Sequence, residues 1–507
     1  MENNKFAGIF HNGPELFQEL MEHEIREILL ISSLYNMFVM EEGGTLTSKI
    51  INEYSGLNLS HPPVITGASS VKKALALLHK KEFDMVLIIP HLKEMDLLAL
   101  GEEIKKINPT LPVIILAPSL RSIPHVSTTP CKDIDNIYIW SGNSDLLLAL
   151  IKNAEDHLNV DKDTALANVS VVILVEDSPD YYSFFLPIIY KEIVTQTEAL
   201  LTRDLNDSLK LLKMRERPKL LLAKNYECAM ELYQKYRSYI LCVISDTRFP
   251  RNGEIDPGAG IALLSHVRGD SPGLPLLLMS SESENRKKAD TIPALFIDKN
   301  SADLFNAVHI FFLNHLGFGK FVFSMPNGQQ IDLAANLLQL EAKLPHIPDE
   351  SIAFHADRDH FSRWLMARSE IDIALKFRSL KRSDFKDVEE LRSFIISSIH
   401  ELRIQRQKGL VSRFERNYFD SDIREFVKIG DGSLGGKARG LAFMSTLLSQ
   451  NSKIHQNNPE INIKIPKTLV LCTDIFESFV AENNLQFFSK PGFKVKEIVE
   501  VFLRAEL

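Results

Sequence analysis

Three carboxylates, a hydroxyl and a lysine are the residues of this chain whose types and spacing could do chemistry. Glu176 and Asp177 close the apolar run VSVVILVED, Asp246 closes YILCVISD, Ser280 closes LPLLLMSS, and Lys299 follows ALFID. Short continuous apolar runs of this kind read as strands buried on both faces, and ligands of open α/β sheets collect outside the carboxyl ends of such strands. Two adjacent acids and a third across the sheet repel one another unless a hard divalent cation neutralises them, which makes Mg2+ the expected ligand. A single acid that ends a strand is ordinarily just solvated. Compatible residues at successive strand ends point to a site.

With these positions filled, residues 166 to 318 resemble the receiver domain of bacterial two-component response regulators. The resemblance implies that Asp246 is the nucleophile that takes a phosphoryl group from a cognate histidine kinase or a small phosphodonor. It implies that Asp177 ligates Mg2+ directly, Glu176 through water, and Arg248 through its backbone carbonyl. Ser280 would hydrogen-bond a phosphoryl oxygen, and Lys299 would pair with Asp246 or its phosphate. Phe296 matches the aromatic switch residue whose rotamer reports phosphorylation. The chain departs from the family at Asn300, where a proline is usual, in the long segment from Asp180 to Arg217, and in TRFPRNGEIDPGAG, which adds residues after Asp246.

The elements that must position these residues occur twice. From Arg26 to Asn153 the runs EILLISS, FDMVLIIP, PVIILAP and NIYIW alternate with the amphipathic stretches VKKALALLHKK, LLALGEEIKKI and DLLLALIKNA; the same order returns from Val169 to Phe318. The reading is α/β: two tandem flavodoxin-like doubly wound parallel sheets, with the polar stretch EDHLNVDKDTALAN between them as a linker. In the first repeat the acid pair becomes Ser32-Ser33, the acceptor Ile89, the hydroxyl position Ala117 and the lysine Trp140. An apolar side chain can neither attack phosphorus nor bind magnesium, so residues 1–155 are expected to be a degenerate pseudo-receiver for packing or partner binding. His91 beside the lost acceptor reads as an ordinary surface histidine.

Past Gly319 the strand pattern weakens, and DVEELRSFIISSIHELRIQRQ sets Leu391, Phe394, Ile395, Ile399 and Leu402 at helical steps. Residues 319–425 are therefore expected to be a mainly helical connector. Within it, His355 and Asp359 stand four apart on one helical face, which reads as an interface network rather than a metal site. Arg403, Arg406, Lys408, Arg413 and Arg416 read as a solvated face rather than a nucleic-acid patch.

The stretch IGDGSLGGKARGLAFM gathers glycines around Lys437 ahead of a helical pattern. Glycine lets backbone amides approach a phosphate closely, a helix N-terminus adds a favourable field, and lysine supplies a charge. It is not a Walker A loop, because no Ser or Thr follows the lysine. Together with IPKTLVLCTDIFESFV, it resembles the opening of the ATP-grasp α+β domain of phosphoenolpyruvate synthase and pyruvate phosphate dikinase. That resemblance implies that Lys437 contacts ATP phosphates, that Gly435 and Gly436 form the loop beside it, and that residues 426–507 are the N-terminal part of the domain. The histidine domain and the barrel that binds pyruvate or phosphoenolpyruvate would lie beyond Leu507, and VKEIVEVFLRAEL, which stops in a helical pattern without a cap, reads as a chain cut short.

The bulk numbers agree with a multidomain soluble protein. At 507 residues the chain exceeds what one core supports. Its 58 basic and 66 acidic residues leave a net charge of −8, which gives no general attraction for nucleic acid or an anionic membrane. The four cysteines, Cys131, Cys228, Cys242 and Cys472, show no paired spacing, and the N-terminus lacks a signal-peptide pattern; a cytoplasmic location is expected. The leading reading is thus the regulatory N-terminal part of a phosphorelay-controlled phosphotransferase. The alternative is a non-enzymatic two-receiver scaffold or dimerisation module, with a homodimer compatible with both.

Overall fold

The structure is a computed structural model and describes residues 19–35, 62–90, 96–123, 133–140, 142, 144–201, 214–407, 411–414, 426–450, 460–461, 463, 465–486 and 494–505. The chain divides into two compact units, residues 1–201 with 207–335 and 348–385, and residues 202–206 with 336–347 and 386–507.

The first unit holds two five-stranded sheets. One comprises β1 (Glu27–Ile31), β2 (Val64–Ala68), β3 (Met85–Ile88), β4 (Val113–Ala117) and β5 (Asn136–Ile139), with α1 (Val71–Lys80), α2 (Leu97–Ile107) and α3 (Ser144–Ala167) following β2, β3 and β5. The other comprises β6 (Val171–Val175), β7 (Lys219–Ala223), β8 (Ile240–Asp246), β11 (Leu276–Ser280) and β12 (Leu295–Asp298), with α4 (Pro179–Leu200), α5 (Tyr226–Tyr236), α6 (Ala259–Asp270), α7 (Asn285–Thr291) and α8 (Leu304–Asn314). The strand orders are β2-β1-β3-β4-β5 and β7-β6-β8-β11-β12. Every pairing in both is parallel. Each sheet therefore has the 2-1-3-4-5 order of the flavodoxin-like doubly wound fold, whose switch point lies between the first and third strands. The strands are runs such as VVILV and ILCVISD, buried along their whole length because helices cover both faces.

The polar stretch expected to be a linker is instead the second half of α3, a helix of 24 residues that runs unbroken from the first sheet to the start of the second. Three of that stretch's four carboxylates, Glu155, Asp156 and Asp163, are buried and paired, while Asp161 is exposed. Arg217 Nη2 lies 2.8 Å from Asp156 Oδ1, and Lys219 Nζ lies 2.7 Å from Asp163 Oδ2, with Asp156, Asp163 and Lys219 all fully inaccessible. On the same helix, Glu155, Asn159 and Asp163, spaced one turn apart, accept the backbone N–H groups of Ile25, His23 and Met21. Alternate amides of the segment before β1 thus meet successive helical turns, so the approach to β1 is fixed to the helix that leads into β6.

The residues added after Asp246 form a hairpin, β9 (Phe249–Arg251) and β10 (Glu254–Asp256). Its two turn residues, Asn252 (φ 54°) and Gly253 (φ 81°), both occupy the left-handed region, as a type I′ turn requires. A second hairpin, β13 (Phe321–Ser324) and β14 (Gln330–Ala334), opens the region expected to be mainly helical. Helices α10 (Asp349–Ala356), α11 (His360–Met366) and α12 (Ile371–Ser379) complete this unit.

In the second unit, α9 (Leu337–Lys343) accompanies α13 (Val388–Gln407). Leu391, Ile395, Ile399 and Leu402 of α13 are buried at the expected spacing. Arg392 donates to the carbonyls of Leu344 and Ile347, and Glu341 accepts from His400 Nδ1 at 2.7 Å and from Arg403. A three-stranded parallel sheet in the order β15-β16-β17 (Ser412–Arg413, Phe426–Ile429, Thr468–Leu471) carries α14 (Gly436–Gln450) and α15 (Thr473–Glu482), and α16 (Val495–Arg504) follows. Of the basic run, Arg413 pairs with Asp431 at 3.1 Å, while the side chains of Arg406, Lys408 and Arg416 lie outside the described residues.

Candidate functional site

Parallel strands end in register at the carboxyl edge of the second sheet. Glu176 and Asp177 follow β6, Asp246 ends β8, Ser280 ends β11, and Lys299 follows β12. Backbone bonds tie these ends together: Glu176 N–H donates to the Ala223 carbonyl at 3.0 Å and Lys299 N–H to the Ser280 carbonyl at 2.9 Å. The pleat and register therefore bring residues more than 120 positions apart to one point. Carboxylate oxygens of Glu176, Asp177 and Asp246 all lie within 4.8 Å of one another. Lys299 Nζ bridges two of them, 2.6 Å from Glu176 Oε2 and 3.0 Å from Asp246 Oδ1.

Burial sets the electrostatics. Loss of water around Glu176 pushes its carboxyl up to about 7, against the opposing pull of Lys299 and with the help of repulsion from Asp246. Asp177 is raised in the same direction, mainly by its partial burial. Two acids strained towards their neutral forms beside a third are what a divalent cation relieves. Oxygen-only donors without thiol or imidazole suit a hard ion such as Mg2+. The three carboxylates thus fit the metal expected from the sequence, and Arg248, exposed two residues past Asp246, stands next to them in the chain.

On the other flank, Thr247 N–H donates to Asp246 Oδ1 at 2.7 Å. The Ser280 hydroxyl accepts from Glu282 N–H at 3.1 Å and from Asn285 Nδ2 at 3.0 Å, and it lies 3.3 Å from Thr247 Oγ1, the acceptor its own hydrogen can reach. Sequence reading missed Asn285, which is 3% exposed and turns inward from the first turn of α7. It also missed Gly260. A Cβ there would stand 1.9 Å from the Asp246 carbonyl oxygen, so α6 reaches the end of β8 only because residue 260 has no side chain. Phe296 lies half-buried on β12, with the Arg286 guanidinium 5.0 Å from its ring centroid.

At the carboxyl edge of the first sheet the same backbone bonds recur, Ser32 N–H to Ala68 and Trp140 N–H to Ala117. The side chains are those expected from the sequence: Ile89 and Ala117 are buried there, and the Ser32 hydroxyl is buried with no partner among the described residues. His91 lies outside the described residues. The edge strand β5 is covered by α4 of the second sheet. Ile139 N–H donates to Ser183 Oγ at 2.9 Å, and the Tyr182 hydroxyl donates to the Ile137 carbonyl.

Gly435, Gly436 and Lys437 come together at the start of α14, all exposed. Glycines 430 and 432 have a packing reason, since a Cβ at either would collide with Asp474 at the start of α15; Gly435, Gly436 and Gly440 face open space. His355 and Asp359 do not share a helical face. Helix α10 ends at Ala356, and Asp359 adopts a left-handed conformation (φ 55°) that turns the chain. His355 instead meets His360, Nδ1 to Nδ1 at 2.7 Å, and accepts Ser324 N–H through Nε2, within a cage of Phe321, Phe354 and Phe361. Burial lowers His355 to about 4 and His360 to about 3.

No protein-family model and no curated protein matches the chain. Similar solved structures include the signal receiver domain of an HD domain-containing protein from Pseudomonas fluorescens Pf-5, at 24% identity over 26% of this chain and 97% of that one, with a TM-score of 0.21. A response regulator from Thermotoga maritima in complex with Mg2+ and BeF matches at 19% identity over 26% and 99%, with a TM-score of 0.20. A response regulator receiver domain protein from Methanospirillum hungatei JF-1 matches at 18% identity over 27% and 99%, with a TM-score of 0.22. Among the described residues no helix is long and apolar enough to cross a membrane.

Proposed function

We propose that the second sheet and its helices, residues 166–318, form a receiver domain that accepts a phosphoryl group on Asp246. The observation that carries this reading is the convergence of Glu176, Asp177 and Asp246 within 4.8 Å, with the buried Lys299 ammonium between two of them. In the reaction, a carboxylate oxygen of Asp246 attacks phosphorus of a phosphohistidine or a small acyl phosphate, and the donor leaves with the electron pair of the broken bond. Thr247 N–H and Lys299 hold Oδ1, which turns Oδ2 to the incoming phosphorus. The Ser280 hydroxyl donates to a phosphoryl oxygen, and Lys299 counters the charge that develops. Glu176, Asp177, Asp246 and the Arg248 carbonyl would hold Mg2+, which supplies charge neutralisation between the acids and the phosphoryl oxygens.

The same reading makes the domain an input to an ATP-dependent phosphotransferase of the phosphoenolpyruvate synthase and pyruvate phosphate dikinase type, with residues 426–507 at the opening of its nucleotide-binding module. The open space beside Gly435, Gly436 and the exposed Lys437 supports a phosphate cradle there. The first sheet is then a pseudo-receiver, and phosphorylation adds charge that shifts the population of regulatory states.

Acetyl phosphate carrying a labelled phosphoryl group, with Mg2+, tests the acceptor. Asp246→Asn is expected to lose all incorporation, and label that persists in this variant removes Asp246 as the site.

A further inference from the structure

The Lys299 ammonium is confined on more sides than an ion pair requires. Its side chain is 1% exposed, and the contact to Glu176 (2.6 Å) is shorter than that to Asp246 (3.0 Å). Two carboxylates thus compete for one cation, and Glu176 holds the shorter contact. What faces the ammonium besides these acids is aromatic: its Nζ lies 4.0 Å from the ring centroid of Tyr181 and 5.9 Å from that of Phe185. Both distances fall within the range in which the negative face of a ring attracts a cation, and the attraction grows where water is excluded.

The Tyr181 ring is itself held in place. It stacks on Phe185, one turn along α4, with centroids 6.2 Å apart and planes 17° from parallel, and Phe185 is 1% exposed. The next two residues, Tyr182 and Ser183, are bonded to the edge strand of the first sheet. The first turn of α4 is therefore anchored on one side and presents a fixed ring to the lysine on the other. A ring face differs from an oxygen acceptor in being weakly directional. It can retain an ammonium that shifts from a carboxylate to the oxygens of a newly bound phosphoryl group.

We propose that Tyr181 is a positioning residue that holds the Lys299 ammonium beside Asp246 through the face of its ring, and so sets the rate of phosphoryl acceptance. The inference rests on Asp246 being the acceptor. Residue 181 touches neither phosphorus nor the metal; it acts through the lysine.

The test follows labelling of the full chain by acetyl phosphate with Mg2+. Tyr181→Phe is expected to stay within about twofold of the natural protein, whereas trifluorinated phenylalanine at 181, similar in shape but with a depleted ring face, slows labelling about fivefold and Tyr181→Leu about tenfold. Calorimetry with Mg2+ alone gives the second readout. Affinity for the ion is expected to be unchanged or tighter in Tyr181→Leu, because a loosened ammonium competes less for the carboxylates; weaker Mg2+ binding together with slower labelling means a collapsed site and overturns the proposal. In a Lys299→Met background, Tyr181→Leu is expected to add no further slowing. Indifference to fluorination, or equal slowing with and without the lysine, also overturns it. A natural protein that takes no label, or an Asp246→Asn variant that keeps it, sinks the acceptor reading itself, whereas label that depends on Asp246 but not on the ring sinks the Tyr181 inference alone.

Discussion

The two sheets of the first unit share strand order and even the backbone bonds at their carboxyl edges, yet one edge gathers three acids and a lysine while the other presents Ile89, Ala117 and Trp140. The backbone of the fold therefore does not encode the chemistry. It supplies an address, the ends of the first, third, fourth and fifth strands, and the side chains placed there decide whether the address is used. An edge without charge needs no counterion, and the first sheet closes its edge with apolar side chains and with α4 of its neighbour.

The sharpest way to break this contrast is to exchange residues between the edges. Asp246→Ile, which gives the second sheet the first sheet's residue, is expected to reduce acetyl phosphate labelling to background, and adding Ile89→Asp to that variant is expected to restore none because no lysine or second acid stands at the matching strand ends; label on the double variant would show that the address alone suffices. The next largest effect concerns how separate the sheets are. Lys219→Met leaves Asp163 of α3 charged and wholly buried without its cation, which is expected to destabilise the unit by about 3–5 kcal/mol in denaturant unfolding. A loss under about 1 kcal/mol would mean that water reaches the pair.

A pH titration probes the segment that follows the two sheets. His355 and His360 stay neutral in the folded unit at about 4 and 3, whereas the unfolded chain protonates them near 6.5. The unfolded state therefore binds more protons as pH falls from about 6.5 towards 4, and stability drops over that window by roughly 2 kcal/mol per histidine at pH 5. His360→Gln is expected to flatten the fall, and an unchanged slope would place the acid sensitivity elsewhere. Smallest is the effect of Asn285→Ala, which removes one of the two N–H donors to the Ser280 hydroxyl. It is expected to cost about 1 kcal/mol and slow labelling a few-fold, and equal labelling would make Asn285 a purely structural residue.

Much of this architecture is legible in the sequence. Fully buried parallel strands leave a one-dimensional trace in continuous apolar runs, so the sheets and the residues at their ends can be located from the order of amino acids alone. The middle of α3 cannot. EDHLNVDKDTALAN is polar enough to pass for a linker, and what buries it is a set of partners, Arg217, Lys219 and the segment from Met21 to Ile25, that lie roughly 55 to 140 residues away. Hydropathy has no means of pairing distant charges. The pairing of His355 with Asp359 fails for a local reason, since the left-handed turn at Asp359 ends the helical register the spacing assumes. Gly260 is hidden because its importance lies in a side chain it lacks. Tyr181 is hidden because an aromatic residue early in a helix ordinarily belongs to the core.

Helix α3 has one more consequence. Since it ends the first sheet's set of helices and also carries the buried partners of Arg217 and Lys219, the two halves have no seam at which they can be parted. A polypeptide begun at residue 166 would bring those two cations to the fold with Asp156 and Asp163 missing. Residues before 166 thus supply the counter-charges that two buried cations of the second sheet's half need, whatever each sheet does on its own.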